Sequence, residues 1–178
     1  MRRLLLCITL VAAALAVAPG SARAVPPSKR PSWPFAGLQF LVGEWTGEGS
    51  GTPGQSSAGA WKLEADLAGQ ILVRTSFAEY PPVAGQKVPA RHEDRMVIYA
   101  EGTAVKAIYF ENEGHVIRYL VTATGKSATF ESEAGEPGPR FKLVYEQKAA
   151  GSVSIVFSLA PPGSVAYRPY VTGTSRRK

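Results

Sequence analysis

The sequence predicts an all-β protein: a closed, antiparallel, up-and-down β-barrel of about ten strands, preceded by a short helical turn. Three observations support this fold. From Gly43 to the C-terminus, short alternating segments follow one another at close and regular spacing. Turns containing Gly or Asn separate them, and these residues supply the positive φ angles that tight hairpins need. No segment has the length of a crossover helix, so consecutive strands are expected to pair antiparallel, and closure removes both exposed edges.

The first 24 residues have the pattern of a signal peptide for export. Two arginines precede an apolar stretch over 4–18, and an A-x-A cleavage site follows at 22–24. We therefore expect a mature chain that begins at Val25, is periplasmic or extracellular, and is not stably inserted in a membrane. A retained N-terminal anchor is the alternative.

The next segments lead into the barrel. Residues 25–34 are rich in proline, which predicts a flexible arm, and residues 35–178 form the predicted barrel domain. Within 35–42 the apolar residues recur at a spacing that suits one or two helical turns. We expect this turn to plug one end of the barrel beside Trp45.

Composition excludes several classes of site. The one cysteine, Cys7, lies in the signal segment, so the mature chain has no disulfide, no thiol nucleophile and no cysteine metal ligand. Three basic residues leave with the signal, which lowers the net charge from +6 to +3. No basic stripe is interleaved with aromatic residues, so nucleic acid is not an expected partner.

Strand alternation is the main sign of a barrel wall. Trp61 and Leu63 share a face of one strand with Ala65 and Leu67, and Val153, Ile155 and Phe157 share a face of another with Leu159. One apolar face and one polar face per strand is typical of a barrel, and about ten strands leave room for a ligand. After a first strand at Gly43, the predicted strands are 58–66, 70–80, 91–100, 103–110, 115–122, 127–133, 140–146, 152–160 and 165–172.

Four segments carry a family resemblance. They are the pattern Leu38-x-Phe40-Leu41-x-Gly43-x-Trp45-x-Gly47-x-Gly49 and residues 67–74, 109–115 and 138–141. In their order and spacing the chain resembles the calycin superfamily, in particular uncharacterised secreted bacterial lipocalin-like proteins with nitrobindin-like barrels. The resemblance implies a β-barrel with an apolar interior, and it transfers no activity.

The resemblance also carries expectations about single residues. Nitrobindin-like proteins bind haem iron through a histidine near the C-terminal end of the barrel, but residues 165–178 contain none. Haem is therefore not expected, and no cofactor is predicted. In lipocalin-like barrels a C-terminal arginine often stacks on the Gly-x-Trp tryptophan. We expect Arg168 to do so beside Gly43 and Trp45 as a structural barrel end, with Arg176 as the alternative.

Aromatic and arginine side chains in mid-strand are the candidate ligand contacts. An apolar cavity with a few hydroxyl groups and one or two arginines is the usual lining of a small-molecule site. An inward arginine can also hold a carboxylate by paired hydrogen bonds. The strand register decides which side chains point inward. The predicted ligand-binding residues are Arg74, Arg118, Tyr99, Tyr109, Tyr119 and Phe77.

Groups suited to catalysis or metal binding are few. His92 and Asp94 share one strand face, so they could form an oriented base or half of a metal site, or they are ordinary charges at a solvated strand end. His115 follows a turn in which Glu111, Asn112 and Glu113 offer oxygen atoms, but this arrangement is too common to be a motif. No nucleophile, zinc-protease, phosphate-loop or dinucleotide motif is present. No catalytic residue and no metal site are predicted.

The sequence therefore favours an exported binding protein over an enzyme. Its predicted partner is a small hydrophobic or amphipathic molecule held in the barrel interior of a monomer or homodimer. One alternative is an isomerase or hydrolase that uses His92 and Asp94 in the same cavity. Another is an interaction module of the cell envelope whose barrel is filled by its own side chains.

Overall fold

A computed structural model describes residues 33–50, 56–82, 90–133 and 138–178. The chain divides into two compact units, Met1–Arg30 and Pro31–Lys178, and the described residues belong to the second. The predicted signal peptide and most of the predicted arm over 25–34 lie outside the described residues. Within the described ranges, no helix is both long and apolar enough to cross a membrane.

The described residues form a closed antiparallel barrel of ten strands, which confirms the predicted fold class. Each strand pairs with the next along the chain, and the last pairs with the first. A 3-10 helix over Ala36–Leu41 precedes the barrel, where the helical turn was expected, and a second one covers Leu67–Gly69. The strands are β1 (Gly43–Ser50), β2 (Ser56–Asp66), β3 (Ile71–Tyr80), β4 (Ala90–Glu101), β5 (Ala104–Glu111), β6 (Val116–Ala123), β7 (Ser127–Ser132), β8 (Arg140–Ala149), β9 (Ser152–Ala160) and β10 (Arg168–Arg177).

Cross-strand pairing fixes which residues point into the barrel. Residues directly opposite one another share a face of the sheet, and successive residues alternate between faces. Trp45 pairs with Trp61, Trp61 with Ser76, and Ser76 with Asp94. All four are buried, so this row of side chains lies inside the barrel. The same rule places the odd-numbered residues of β1, β2 and β5 and the even-numbered residues of β3 and β4 on the inner face.

The N-terminal 3-10 helix closes one end of the barrel. Phe35, Leu38 and Leu41 are buried in the same core cluster as the inward side chains of the strands. Trp45 donates a hydrogen bond from Nε1 to the carbonyl oxygen of Leu41 over 2.9 Å. Because this helix and Trp45 meet at the start of β1, they define the closed end of the barrel.

Two details of strand alternation differ from the prediction. On β2, Trp61 and Leu63 are buried as expected, but Ala65 and Leu67 are exposed. Leu67 lies beyond the strand, in the second 3-10 helix, where its φ of 47° turns the chain toward β3. The apolar alternation thus continues for two more positions, Ala65 and Leu67, beyond the end of the barrel interior.

The last strand was also predicted too early, at 165–172. Residues ahead of Arg168 do not join the sheet: the Tyr167 hydroxyl donates a hydrogen bond to Glu131 over 2.9 Å, and Lys142 Nζ lies 4.1 Å from the centre of the Tyr167 ring. Glu131 and Lys142 are on the outer face, because their neighbours Phe130 and Leu143 point inward. The strand itself is mostly polar, so it lacks the alternation that identifies the other strands.

Arg177, and not Arg168 or Arg176, stacks on Trp45. Its guanidinium lies 4.4 Å from the centre of the Trp45 ring, and it donates hydrogen bonds to the carbonyl oxygens of Val42 and, over 3.0 Å, Phe40. The prediction of Arg168 is wrong because that residue pairs with Leu159 at the opposite end of β10. Arg176 points to the other face.

Gly43 makes room for this contact. Its φ is +133°, a conformation that L side chains rarely adopt, and an added Cβ would lie 2.2 Å from Arg177 Nη1. Gly43 and Trp45 therefore do form the structural end of the barrel, as the resemblance implies.

Removing the Arg177 side chain should destabilise the barrel. We expect Arg177→Ala to lower the free energy of unfolding by about 1–2 kcal/mol, because a cation–π contact and two hydrogen bonds to carbonyl oxygens are lost. Arg176→Ala, which removes an exposed arginine from the neighbouring position, should change it by about 0.5 kcal/mol or less. Urea unfolding followed by tryptophan fluorescence measures both, and equal losses would contradict this role for Arg177.

Candidate ligand-binding cavity

A cavity of about 190 Å³ lies inside the barrel, in the half away from the N-terminal 3-10 helix. Along β1 it begins at Gly47, beyond Trp45, and on β2 it extends from Trp61 to Ser57. Its wall is mostly apolar. The larger apolar and aromatic residues that line it are Trp61, Phe77, Tyr80, Tyr109, Tyr119, Leu143, Ile155, Phe157 and Val171.

Glycines create the space on one side of the cavity. Inward positions on three adjacent strands are occupied by Gly47 and Gly49 of β1, Gly59 of β2 and Gly173 of β10, and all four line the cavity. An added Cβ at Gly47 would lie 2.5 Å from the Ser175 hydroxyl oxygen. Because these residues have no side chains, the wall is bare backbone where other strands contribute bulky groups. This repeated glycine is the sequence signal that could have located the cavity.

A buried ion pair forms the polar part of the wall. Arg74 Nη1 lies 2.7 Å from Asp94 Oδ1, and the two side chains are only 12% and 5% exposed. Arg74 Nη2 donates a second hydrogen bond to the Ser76 hydroxyl over 3.0 Å. The Arg74 guanidinium also lies 5.7 Å from the centre of the Trp61 ring, while its Nε has no hydrogen-bond partner within the described ranges.

The charge of Arg74 is already balanced. Burial opposes that charge, but the adjacent Asp94 carboxylate and the nearby phenol of Tyr145 favour it, so its pKa stays above the ordinary arginine value. A buried charge is tolerated when it is paired and hydrogen-bonded. Arg74 is therefore a weaker anchor for a ligand carboxylate than the sequence suggested, because an incoming anion would also meet Asp94.

Phenol groups supply further polar atoms, in addition to the serine and threonine residues of the wall. Tyr109 and Tyr119 line the cavity, and Tyr145 is fully buried beside it. Burial is the main reason that the pKa of each of these three tyrosines is raised. They therefore remain neutral at physiological pH and can donate or accept hydrogen bonds. The Tyr145 hydroxyl has no hydrogen-bond partner among the described residues.

His92 lies at the outer part of the cavity wall, with Asp94 on the same strand face, as their spacing predicts. His92 Nε2 is 2.9 Å from the Tyr109 hydroxyl oxygen and 3.8 Å from Asp94 Oδ2. These two residues are therefore not a fully solvated strand end. The short contacts of Asp94 are with Arg74, however, so Asp94 does not hydrogen-bond closely to the His92 ring.

Four of the six predicted ligand-binding residues line the cavity: Arg74, Phe77, Tyr109 and Tyr119. Tyr99 and Arg118 point to the outer face, because their neighbours Ile98 and Tyr119 are buried inside, so neither lines the cavity. Phe77 borders the cavity, but its ring lies on the outer face, 4.0 Å from the Arg91 guanidinium. The side chains of Tyr99 and Arg118 and the ring of Phe77 thus point outward, each one step of the strand alternation away from an inward position.

Comparison with known proteins adds no function to this geometry. No protein-family model matches the chain, and no curated protein matches it. Among solved structures, the chain is similar to a de novo designed fluorescence-activating β-barrel. That similarity covers 80% of this chain and 98% of the designed chain, with 11% sequence identity and a TM-score of 0.44. The resemblance to secreted lipocalin-like proteins stays a prediction.

The buried ion pair between Arg74 and Asp94 leads to a prediction about stability. Asp94→Ala should lower the free energy of unfolding by about 3–5 kcal/mol, because it leaves the buried Arg74 charge without a partner. The double variant Arg74→Met, Asp94→Leu should recover most of that loss, since an apolar pair of similar volume is often as stable as a buried ion pair. Chemical unfolding measures both. A loss from Asp94→Ala below about 0.5 kcal/mol, the range of ordinary surface substitutions, would contradict the pairing.

Proposed function

We propose that this protein binds one small, neutral molecule, of about the size of a single ring, inside its barrel. The observation that carries this proposal is the apolar cavity whose one ion pair is already matched. Its volume of about 190 Å³ compares with about 150 Å³ for an engineered apolar cavity that holds benzene, and with about 300–1,000 Å³ for drug-sized sites. A long-chain fatty acid is therefore too large for the cavity.

The polar atoms favour a ligand that both donates and accepts hydrogen bonds. Tyr109 and Tyr119 are neutral phenols on the wall, and the Asp94 carboxylate can accept a further hydrogen bond. A ring that buries about 150 Å² of apolar surface gains roughly 4 kcal/mol from the hydrophobic effect. Hydrogen bonds to these groups would add to that and fix the orientation of the ligand.

The predicted signal peptide sets the compartment in this proposal. If residues 1–24 are removed on export, the barrel meets its ligand in the periplasm or outside the cell. The predicted lipocalin-like character fits the same role, since in this proposal the protein acts by holding the ligand away from water. A filled barrel that acts only as an interaction module is disfavoured, because the cavity is larger than one or two waters require.

An enzyme that uses the same cavity is the second candidate, because His92 faces the interior and lies 2.9 Å from the Tyr109 hydroxyl. The two candidates differ in what the variant His92→Ala should do. A binding protein keeps most of its affinity for the ligand, since His92 is at the edge of the cavity. An enzyme loses turnover while it still binds.

Filling the cavity should abolish binding. Ala78 lines the cavity, and we expect Ala78→Phe to eliminate binding of benzyl alcohol, a neutral ring-sized probe. Thr75→Phe, which places the same side chain on the exposed outer face of β3, should bind like the unmodified protein. Quenching or shift of tryptophan fluorescence reports binding, because Trp61 lines the cavity.

A matched anion tests the preference for a neutral ligand. Benzoate has nearly the shape of benzyl alcohol, and we expect it to bind at least about tenfold more weakly, because Asp94 repels it and Arg74 is already paired.

Native mass spectrometry of protein purified without detergent would also reveal a bound natural ligand as excess mass. Equal binding of benzoate, no binding of either probe, or binding retained by Ala78→Phe would refute the proposed site.

A further inference from the structure

The hairpin between β5 and β6 is held beside His92 at the open end of the barrel. Asn112 makes three hydrogen bonds to β4, each of 3.0 Å. Its backbone N–H and its side-chain oxygen pair with the carbonyl and N–H of Glu93, and its side-chain amide donates to the carbonyl of Arg91. The hairpin is thus attached to β4 on both sides of His92, and its acidic residues have a fixed position relative to that ring.

Two carboxylates converge on one nitrogen of His92. Nδ1 lies 3.3 Å from an oxygen of Glu113 and 3.5 Å from Oε2 of Glu111. His92, Glu111 and Glu113 each offer one atom that could ligate a metal, and these three atoms all lie within 4.8 Å of one another. Glu111 Oε1 faces the other way and accepts hydrogen bonds from the backbone N–H of His115 over 2.8 Å and from its ring. The Glu111 side chain is only 4% exposed.

Charge distinguishes this cluster from an ordinary surface ion pair. Among the described residues, neither Glu111 nor Glu113 forms an ion pair with a lysine or an arginine. Two carboxylates face the His92 ring, and one of them is on a nearly buried side chain. His115 already contacts Oε1 of Glu111, and a divalent cation would supply positive charge to the carboxylate oxygens that face His92.

The spacing also suits a metal ion. Two ligand atoms about 2.0–2.1 Å from a tetrahedral zinc ion lie roughly 3.3–3.4 Å from each other. The two distances from His92 Nδ1 are close to that value. A metal-bound histidine usually has its other nitrogen fixed by a hydrogen bond, and here the Tyr109 hydroxyl lies 2.9 Å from Nε2. With Nδ1 on the metal, Nε2–H donates to this hydroxyl.

We propose that His92, Glu111 and Glu113 form a binding site for a divalent transition-metal ion such as Zn²⁺ at the mouth of the cavity. Nitrogen and carboxylate oxygen are ligands that zinc accepts, and three protein ligands leave a fourth position for water. Because His92 lines the cavity, this position is next to the space where a ligand would sit. This proposal differs from the sequence-based expectation of no metal site.

Metal binding can be tested without any organic ligand, so failure here and failure of the proposed ligand site are distinguishable. Chelator-treated, untagged protein is titrated with zinc chloride by calorimetry and with cobalt chloride by visible absorption, which reports coordination geometry. We expect one zinc ion per chain. Glu113→Gln should weaken affinity by about 100-fold or more, since loss of even an outer-shell partner costs about 10–100-fold.

Two further variants sharpen the test. Glu79→Gln removes another exposed carboxylate, which pairs with Arg91 on the outer face, and it should bind zinc like the unmodified protein. Tyr109→Phe should weaken zinc binding by about tenfold, because the His92 ring loses the group that orients it. Glu113 is 61% exposed, so its variant should fold, which circular dichroism verifies. Absence of a one-to-one complex, or equal affinity of the Glu113 and Glu79 variants, would overturn the site.

Discussion

Closure of the barrel rests on the contact between its last strand and its first. Arg177 lies over Trp45, Trp45 stacks on Trp61 with 5.0 Å between ring centres, and Trp61 is in turn approached by Arg74. The four side chains form a row, joined by two cation–π contacts and one stacking contact, that runs from the closed end of the barrel to the cavity. Since β1 and β10 are joined there by side chains as well as by backbone hydrogen bonds, the same contacts that close the sheet also build the inner surface.

The cavity exists because glycines, which have no side chains, occupy inward positions next to this row. Beyond Trp45 and Trp61 several inward positions of β1, β2 and β10 are glycines, so the tryptophans form an inner limit and the space opens beyond them. Arg74 brings a charge to that limit and requires Asp94 to balance it. A buried ion pair is weak evidence for stability, because an apolar pair of similar size is often as stable. Its presence in the wall of a cavity is better explained by the polarity it gives to the site.

Tyr109 connects the two proposed sites. Its ring lines the cavity, and its hydroxyl is within hydrogen-bond distance of His92, whose other nitrogen faces Glu111 and Glu113. A ligand that occupies the cavity would therefore contact the group that orients a metal-binding histidine. The proposed metal ligands come from β4, β5 and the hairpin that follows β5, and two of these elements, β4 and β5, also contribute to the cavity wall.

The sequence by itself determined the ten-stranded barrel, the turn before it, the Gly43–Trp45 end and the presence of Tyr109, Tyr119 and Arg74 in mid-strand. Alternation and turn residues are local properties, so they are visible in the sequence itself. Only the tertiary structure decided that Arg177 closes the barrel, that Arg118 faces out, and that His92 meets Glu111 and Glu113. These outcomes depend on hydrogen-bond register between strands, and a shift of one residue reverses every side chain.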